Sequence, residues 1–194
     1  MNQTTDNQNY THTVCVYCAS SGAIASVYAE AAGALGTLLA QNDWRVINGA
    51  GPFGLMRVVS DAVLRAGGKV KGIIPRFMVE NGWCHNALED VEITETIHER
   101  KQQMATLSDA AVALPGGCGT LEELLEIITW KQLGLYSHPL VILNTNHYYD
   151  ALLAMLQHAV DERFMSPQYA TIWQVATTPE EVIQYLKTGF DTES

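Results

Sequence analysis

The sequence has no apolar run near the ~20 residues that a membrane-spanning helix needs. Its first residues, MNQTTDNQNYTHT, lack the basic and apolar regions of a signal peptide. Basic residues are scarce: 11 Lys and Arg stand against 21 Asp and Glu, a formal charge of −10. This charge repels polyanions, so nucleic acid and anionic membranes are not expected partners. These absences predict a cytoplasmic protein, and they leave room for a small phosphorylated ligand.

Cysteine is scarce as well. The four cysteines show no paired zinc-ribbon spacing, and an intracellular setting argues against structural disulfides, so we assign neither a metal site nor a bridge. Cys15 and Cys18 form a C-x-x-C in a predicted strand, where side chains three apart point to opposite faces. We interpret them as small buried thiols rather than a redox pair. Cys118 lies in a Gly-rich turn before a helix, but it has no evident catalytic partner.

The pattern of short and long segments predicts one domain over residues 13–187, between a disordered tail at 1–12 and a frayed end at 188–194. Short β-branched runs alternate with helical stretches, which predicts a Rossmann-like, doubly wound α/β fold with a mainly parallel sheet flanked by helices. The predicted strands are 14–19, 45–48, 70–74, 91–95, 110–114, 140–144 and 173–176. The predicted helices are 26–41, 54–66, 98–107, 121–133, 149–163 and 179–187.

Sheets of this kind bind ligands at the C-terminal ends of their strands, where three loops stand out. The first, CASSG at 18–22, is rich in hydroxyl and amide groups. The second, GAGPFG at 49–54, is a literal G-x-G-x-x-G. A dinucleotide-binding dehydrogenase is disfavoured, because this loop follows the second strand and lacks an acidic residue about 20 positions later.

The third loop, PGGCGTLEE at 115–123, joins a predicted buried strand to a helix. Its glycines at 116, 117 and 119 permit positive φ, so their N–H groups can converge on an anion at the helix N-terminus. The lysine of a P-loop is absent, which favours a monophosphate over a triphosphate. Thr120 and Glu123 have the spacing of a capping box, and from local sequence this structural role is at least as well supported as catalysis.

The segment HERKQQM at 98–104 opens the preceding helix. Arg100 is suited to phosphate through its planar guanidinium, but an isolated string of this kind is typical of a solvated helix start. Together, HERK and PGGCGTLEE resemble the motifs of the LONELY GUY family of cytokinin riboside 5′-monophosphate phosphoribohydrolases, many once described as lysine decarboxylases. The similarity extends through GLM, GIIP and ITWKQLG, which is most of the chain.

The resemblance implies a homodimeric enzyme that hydrolyses the N-glycosidic bond of N6-substituted adenosine 5′-monophosphates, with no metal or redox cofactor. It implies that Arg100 and Glu123 are catalytic. It assigns the 5′-phosphate to the loop formed by Gly116, Gly117, Cys118, Gly119 and Thr120. Weaker pocket candidates are Ser20, Gly51, Met56, Arg76, Lys101 and Met104.

Two departures from the family pattern stand out. The segments NGAG at 48–51 and GLMR at 54–57 replace a triple glycine and G-L-M-G, so Arg57 either adds charge to the pocket or faces solvent. His98 is either a helix cap or a partner of the catalytic residues. Two rival functions stay open: hydrolysis of unmodified AMP, and non-catalytic carriage of a nucleotide or of molybdenum cofactor. Excess apolar residues at 127–135 fit either a dimer interface or the core of one subunit.

Overall fold

The computed structural model describes residues 10–193. One seven-stranded sheet, parallel throughout, has the order β4-β3-β2-β1-β5-β6-β7. Its strands are β1 (His12–Tyr17), β2 (Trp44–Asn48), β3 (Val70–Pro75), β4 (Asp90–Thr94), β5 (Ala110–Ala113), β6 (Leu140–Leu143) and β7 (Gln174–Ala176). The helices are α1 (Ser26–Gln41), α2 (Gly54–Arg65), α3 (Arg76–Glu80), α4 (Ile97–Thr106), α5 (Cys118–Gln132), α6 (Asp150–Asp161) and α7 (Pro179–Glu193), with short 3-10 turns at Thr145–His147 and Pro167–Thr171. The predicted Rossmann-like α/β class is confirmed.

The hydrophobic core lies on both faces of the sheet, as expected for parallel strands covered by helices. Alternate residues of β1 enter opposite faces: Val14 and Val16 pack in one cluster, and Cys15 and Tyr17 in the other. Cys18 belongs to the first cluster, so the two thiols of the C-x-x-C are buried on opposite sides. Burial raises the pKa of both thiols.

The strand order places the reversal of winding at β1, which pairs with β2 on one side and β5 on the other. The helix that follows β1 and the helix that follows β5 pack on opposite faces of the sheet. A crevice opens between the loops that follow these two strands. Among residues 10–193, no helix is both long and apolar enough to cross a membrane.

The chain ends differ from prediction. Residues 1–9 of the predicted tail lie outside the described residues, and β1 already begins at His12. The predicted frayed end at 188–194 is wrong up to residue 193, because α7 continues to Glu193. Phe190 is buried and stacks on the His12 ring at 3.9 Å, with the Trp44 ring edge-on at 5.1 Å. The short helix α3 was not predicted, because its five residues are too few to show a helical apolar period.

Candidate active site

A cavity of about 600 Å³ opens at the C-terminal edge of the sheet, over the crevice beside β1. All three predicted loops contribute to its wall, together with the first turns of α4 and α5. The lining residues are Cys18, Ala19, Ser20, Gly49, Gly51, Pro52, Phe53, Met56, Met78, Trp83, Ile97, Arg100, Lys101, Gly117, Cys118, Gly119, Thr120, Glu122 and Glu123.

The turn after β5 presents backbone amides to this cavity. Gly117 is the N-cap of α5, no side chain caps the helix, and its first main-chain bond runs from Leu121 N to Gly117 O. The amides of residues 118–120 precede that bond and form the positive end of the helix. A Cβ at Gly117 or Gly119 would meet nothing within 4 Å, so the glycines leave space above these amides.

The glycines of this turn do not use the positive φ that they permit. Gly117 has φ −81°, and the positive-φ glycines of the described chain are Gly54, Gly67, Gly82 and Gly134. The cradle is therefore built by the helix N-terminus rather than by left-handed backbone. Gly116 is required for packing instead: a Cβ there would overlap the side chain of Thr120.

Glu123 points into the cavity and does not cap α5. The helix begins at Cys118, three residues before its predicted start, so Thr120 is its third residue and Glu123 lies beyond the first turn. The capping-box interpretation of this pair is therefore wrong; a capping box does form on α4, between Thr96 and Glu99. His98 is exposed and is not that cap.

Arg100 and Glu123 form a buried ion pair, with Arg100 Nη2 donating to Glu123 Oε1 at 3.2 Å and each residue only 9% exposed. Burial raises the pKa of Glu123 to about 7, and the Arg100 charge opposes that rise. A carboxyl group in this state titrates near neutral pH, as functional carboxyl groups often do.

The guanidinium of Arg100 is enclosed by Met78 on one side and Gly49 on the other. Its Nη1 lies 3.9 Å from Met78 Sδ, and its Nε has no hydrogen-bond partner among the described residues. Gly49 closes the other side, where a Cβ would overlap Nη2. The glycine at position 49 therefore gives Arg100 the room to reach Glu123.

Four of the six weaker pocket candidates, Ser20, Gly51, Met56 and Lys101, line the cavity. Lys101 Nζ is already engaged, at 2.8 Å from Glu122 Oε1 and 3.1 Å from Glu126 Oε1.

The structure places three other candidates outside the lining. Met104 is buried in the core, and Arg76 pairs with Glu95 at 2.8 Å on the surface. Gly116 packs behind the turn, against Thr120. Arg57 faces solvent and pairs with Asp61 at 3.2 Å, which settles the choice between its two predicted environments.

Sequence reasoning missed the apolar wall of the cavity, made by Phe53, Met78, Trp83 and Ile97. Phe53 is 59% exposed and Trp83 50%, large fractions for such side chains. The chain after α3 carries Trp83 to the cavity wall. A tryptophan within the polar stretch ENGWCHN was the available signal.

The loop that carries Trp83 is anchored by His85. Ala87 N donates to His85 Nδ1 at 3.1 Å, so Nε2 carries the proton and donates to Asp61 Oδ1 at 2.9 Å. His85 N also donates to Ala50 O at 2.8 Å. These bonds fix the loop to α2 and to the chain after β2. Within residues 10–193, no group of three or more His, Cys, Asp and Glu side chains could hold a metal ion.

Comparison with known proteins decides the family. The family model described as "Possible lysine decarboxylase" matches residues 56–186. Cytokinin riboside 5′-monophosphate phosphoribohydrolase LOG3 of Arabidopsis thaliana is 42% identical over 174 residues, 90% of this chain and 81% of that protein. The chain belongs to the LONELY GUY family.

The rice protein LOGL6, named a probable cytokinin riboside 5′-monophosphate phosphoribohydrolase, is 41% identical over 90% of this chain and 70% of its own length. Among solved structures, the molybdenum cofactor carrier protein of Chlamydomonas reinhardtii has a TM-score of 0.73 at 20% identity, covering 93% of this chain and 99% of that one. The molybdenum cofactor binding protein of Rippkaea orientalis has a TM-score of 0.71 at 21% identity, over 92% and 96%. The structural likeness shows the fold alone.

Proposed function

We propose that the protein hydrolyses the N-glycosidic bond of adenosine 5′-monophosphates that carry an N6 substituent, releasing the free base and ribose 5-phosphate. One observation carries this proposal: a buried Arg100–Glu123 pair shares a cavity with the open N-terminus of α5. The curated relatives named above as phosphoribohydrolases of cytokinin riboside monophosphates support the same reaction.

The spacing within α5 suits a nucleotide. The amides of residues 118–120 offer a phosphate site, because a helix N-terminus combines free donors with a favourable dipole. Glu123 lies four residues beyond Gly119, about 6 Å along the axis, a separation that one ribose ring can bridge. Phosphate binding at one end of the sugar therefore places the anomeric carbon beside the carboxylate.

The chemistry follows from that placement. Cleavage of an N-glycosidic bond passes through an oxocarbenium-like ribose, which an adjacent carboxylate stabilises. The C1′–N9 bond breaks with its electron pair going to the purine, a water oxygen bonds to C1′, and the proton that the water releases ends on the base. Glu123 stabilises the cationic sugar and orients the water. Arg100 holds the carboxylate and donates hydrogen bonds to substrate or departing base.

The reaction is tested by incubating the purified protein with AMP and with isopentenyl-AMP, followed by chromatography of the products. We expect isopentenyl-AMP to give free isopentenyladenine and ribose 5-phosphate. Release of adenine from AMP at equal or greater efficiency would identify unmodified AMP as the substrate. Binding that leaves both nucleotides intact would identify a carrier.

Trp83 is expected to contribute to the preference for a substituted base. It lines the cavity, is 50% exposed and offers a flat apolar surface. We expect Trp83→Ala to raise KM for isopentenyl-AMP by about tenfold, because the isopentenyl group would lose an apolar contact of about 1.5–3 kcal/mol. KM for AMP should change less. The check is steady-state kinetics on both nucleotides, with Trp173→Ala, which lies outside this cavity, as the control. Equal loss on both substrates would contradict the role.

We also propose that the protein is a cytoplasmic homodimer. The predicted excess of apolar residues at 127–135 divides in the structure: Ile127 and Ile128 are core residues, whereas Leu133 and Leu135 are 68% and 69% exposed. Two such neighbouring leucines favour burial against a partner. Light scattering on the eluted protein should give twice the 21.3 kDa of the chain. A mass of one chain would contradict the dimer.

A further inference from the structure

Two tyrosines outside the cavity hold the turn between β5 and α5. The Tyr148 hydroxyl donates to Gly116 O, and the Tyr149 hydroxyl donates to Leu114 O, each at 2.6 Å. Between them, Pro115 O accepts from Ala19 N at 3.2 Å. Three successive carbonyls of this turn are therefore fixed by donors from other parts of the chain.

The segment after β6 is shaped to deliver these hydroxyls. Asn146 and His147 have φ of 51° and 60°, a left-handed conformation that is rare at two consecutive non-glycine residues. Asn144 stabilises the turn, since its Oδ1 accepts from Tyr149 N at 2.7 Å and its Nδ2 donates to Asp150 Oδ1 at 2.7 Å. Backbone strain persists only where the surroundings enforce it, and it is concentrated at functional sites.

Fixing a carbonyl also fixes the next amide. The peptide unit is planar and trans, so a bond to Gly116 O sets the direction of Gly117 N–H on the opposite side. Gly116, Gly117 and Gly119 have no side chains that would hold this stretch, and glycine backbone is otherwise conformationally free. The hydroxyl of Tyr148 supplies the restraint that the turn itself lacks.

We propose that Tyr148 is a positioning residue for the phosphate of the substrate: its hydroxyl orients the 116–117 peptide and thereby the entry to the α5 N-terminus. This inference rests on the proposed function, because it assumes that the phosphate binds there. Arg100, with its unpartnered buried Nε, and Glu123 lie in the same cavity and mark it as a ligand site. Tyr148 does not line the cavity and acts only through the turn.

Tyr148 is a better test of this restraint than Tyr149. Tyr149 is 1% exposed and part of the core, so its loss would also disturb packing. Tyr148 is 41% exposed, and its ring packs edge-on against Tyr28 at 5.9 Å and Tyr149 at 5.1 Å. Phenylalanine retains the ring contacts and removes only the hydroxyl.

The experiment compares wild type, Tyr148→Phe and the control Tyr185→Phe on α7. Isothermal titration with ribose 5-phosphate measures phosphate binding without turnover, and kinetics are measured on isopentenyl-AMP and on its phosphate-free nucleoside. We expect Tyr148→Phe to weaken ribose 5-phosphate binding and to raise KM for the nucleotide by about tenfold. The reason is that the Gly117 amide would lose its orientation, and a tenfold change is the effect of one well-placed hydrogen bond to the charged phosphate. The melting temperature, kcat for the nucleotide and kcat/KM for the nucleoside should stay near wild type.

An unchanged affinity for ribose 5-phosphate in Tyr148→Phe would overturn the inference. So would an equal loss on nucleotide and nucleoside, because a general structural defect affects both. The proposed function fails on a different result, namely wild-type protein that binds ribose 5-phosphate but hydrolyses no nucleotide. Titration still tests the positioning role in that case.

Discussion

Replacing Glu123 with glutamine is expected to lower kcat for isopentenyl-AMP by about 10²–10⁴-fold, the contribution typical of a catalytic carboxyl group. Glutamine has nearly the same shape, and its amide oxygen can still accept from Arg100 Nη2. What is lost is the negative charge that stabilises a cationic ribose. KM should change little, because the phosphate site on the first turn of α5 is unaltered. Steady-state kinetics with purified variant protein provide the measurement.

The neighbouring glutamate gives a matched control. Glu122 has a 58% exposed side chain and pairs with Lys101 at the cavity rim. Glu122→Gln removes the same charge one residue away and should keep activity within about threefold, since the Glu122 side chain is exposed and Lys101 keeps its pair with Glu126 at 3.1 Å. Equal loss in both variants would show that the effect is general electrostatics rather than catalysis by Glu123.

The raised pKa of Glu123 makes the free energy of unfolding depend on pH. Its pKa in the folded protein is about 7, above the ordinary 4.5, so the folded state keeps a proton that the unfolded state releases. The stability contributed by this group is fully present below pH 4.5 and is lost as the pH rises to 7, by about 3 kcal/mol. Urea unfolding should therefore show Glu123→Gln more stable than wild type above pH 7 and similar to it near pH 4.

The activity profile should have the opposite slope. If the ionised carboxylate is the active form, kcat/KM of wild type rises about tenfold per pH unit below 7 and levels off above it. A rate that falls as the pH rises through 7 would instead assign Glu123 the role of a proton donor.

Replacing Arg100 with alanine is expected to damage both activity and stability. Without the Arg100 charge, burial raises the pKa of Glu123 further and the carboxyl group takes up a proton, so we expect the lost hydrogen bond and packing to lower the free energy of unfolding by about 1–3 kcal/mol. Loss of one transition-state donor lowers kcat by about 10²–10³-fold. Urea unfolding and kinetics at pH 8 measure both effects. Wild-type kcat in Arg100→Ala would contradict a catalytic role for this residue.

Two further substitutions distinguish charge from geometry at this position. Arg100→Lys keeps a positive charge but lacks the planar fork, so it should recover part of the stability and little of the activity. Gly49→Ala leaves Arg100 in the chain and puts a methyl group where Nη2 lies. Because the flexible side chain can move aside, this variant should remain folded yet lose turnover. Full activity in Gly49→Ala would show that turnover does not depend on the position of the Arg100 guanidinium.

The helices and strands with strong local signals were predictable. Helix α1 was predicted at its observed bounds, and each predicted strand overlaps an observed one, because buried parallel strands form short, β-branched runs. The start of α5 was misplaced, since Gly117 caps it with backbone alone and gives no Ser, Thr, Asp or Asn signal. The same error produced the false capping box at Thr120 and Glu123.

The pairing of Arg100 with Glu123 was beyond local sequence analysis. Twenty-three residues separate them, and they meet because α4 and α5 flank β5 and both reach the same edge of the sheet. Only the family resemblance linked the two motifs in advance. The roles of Met78, Trp83 and Tyr148 depend on contacts between segments distant in sequence, which no periodicity or spacing encodes.

The most direct test is a crystal structure of Glu123→Gln with isopentenyl-AMP bound. We expect the 5′-phosphate on the amides of residues 118–120, with the anomeric carbon beside residue 123 and the isopentenyl group near Trp83. A phosphate bound elsewhere in the cavity, or a ribose out of reach of residues 100 and 123, would contradict it.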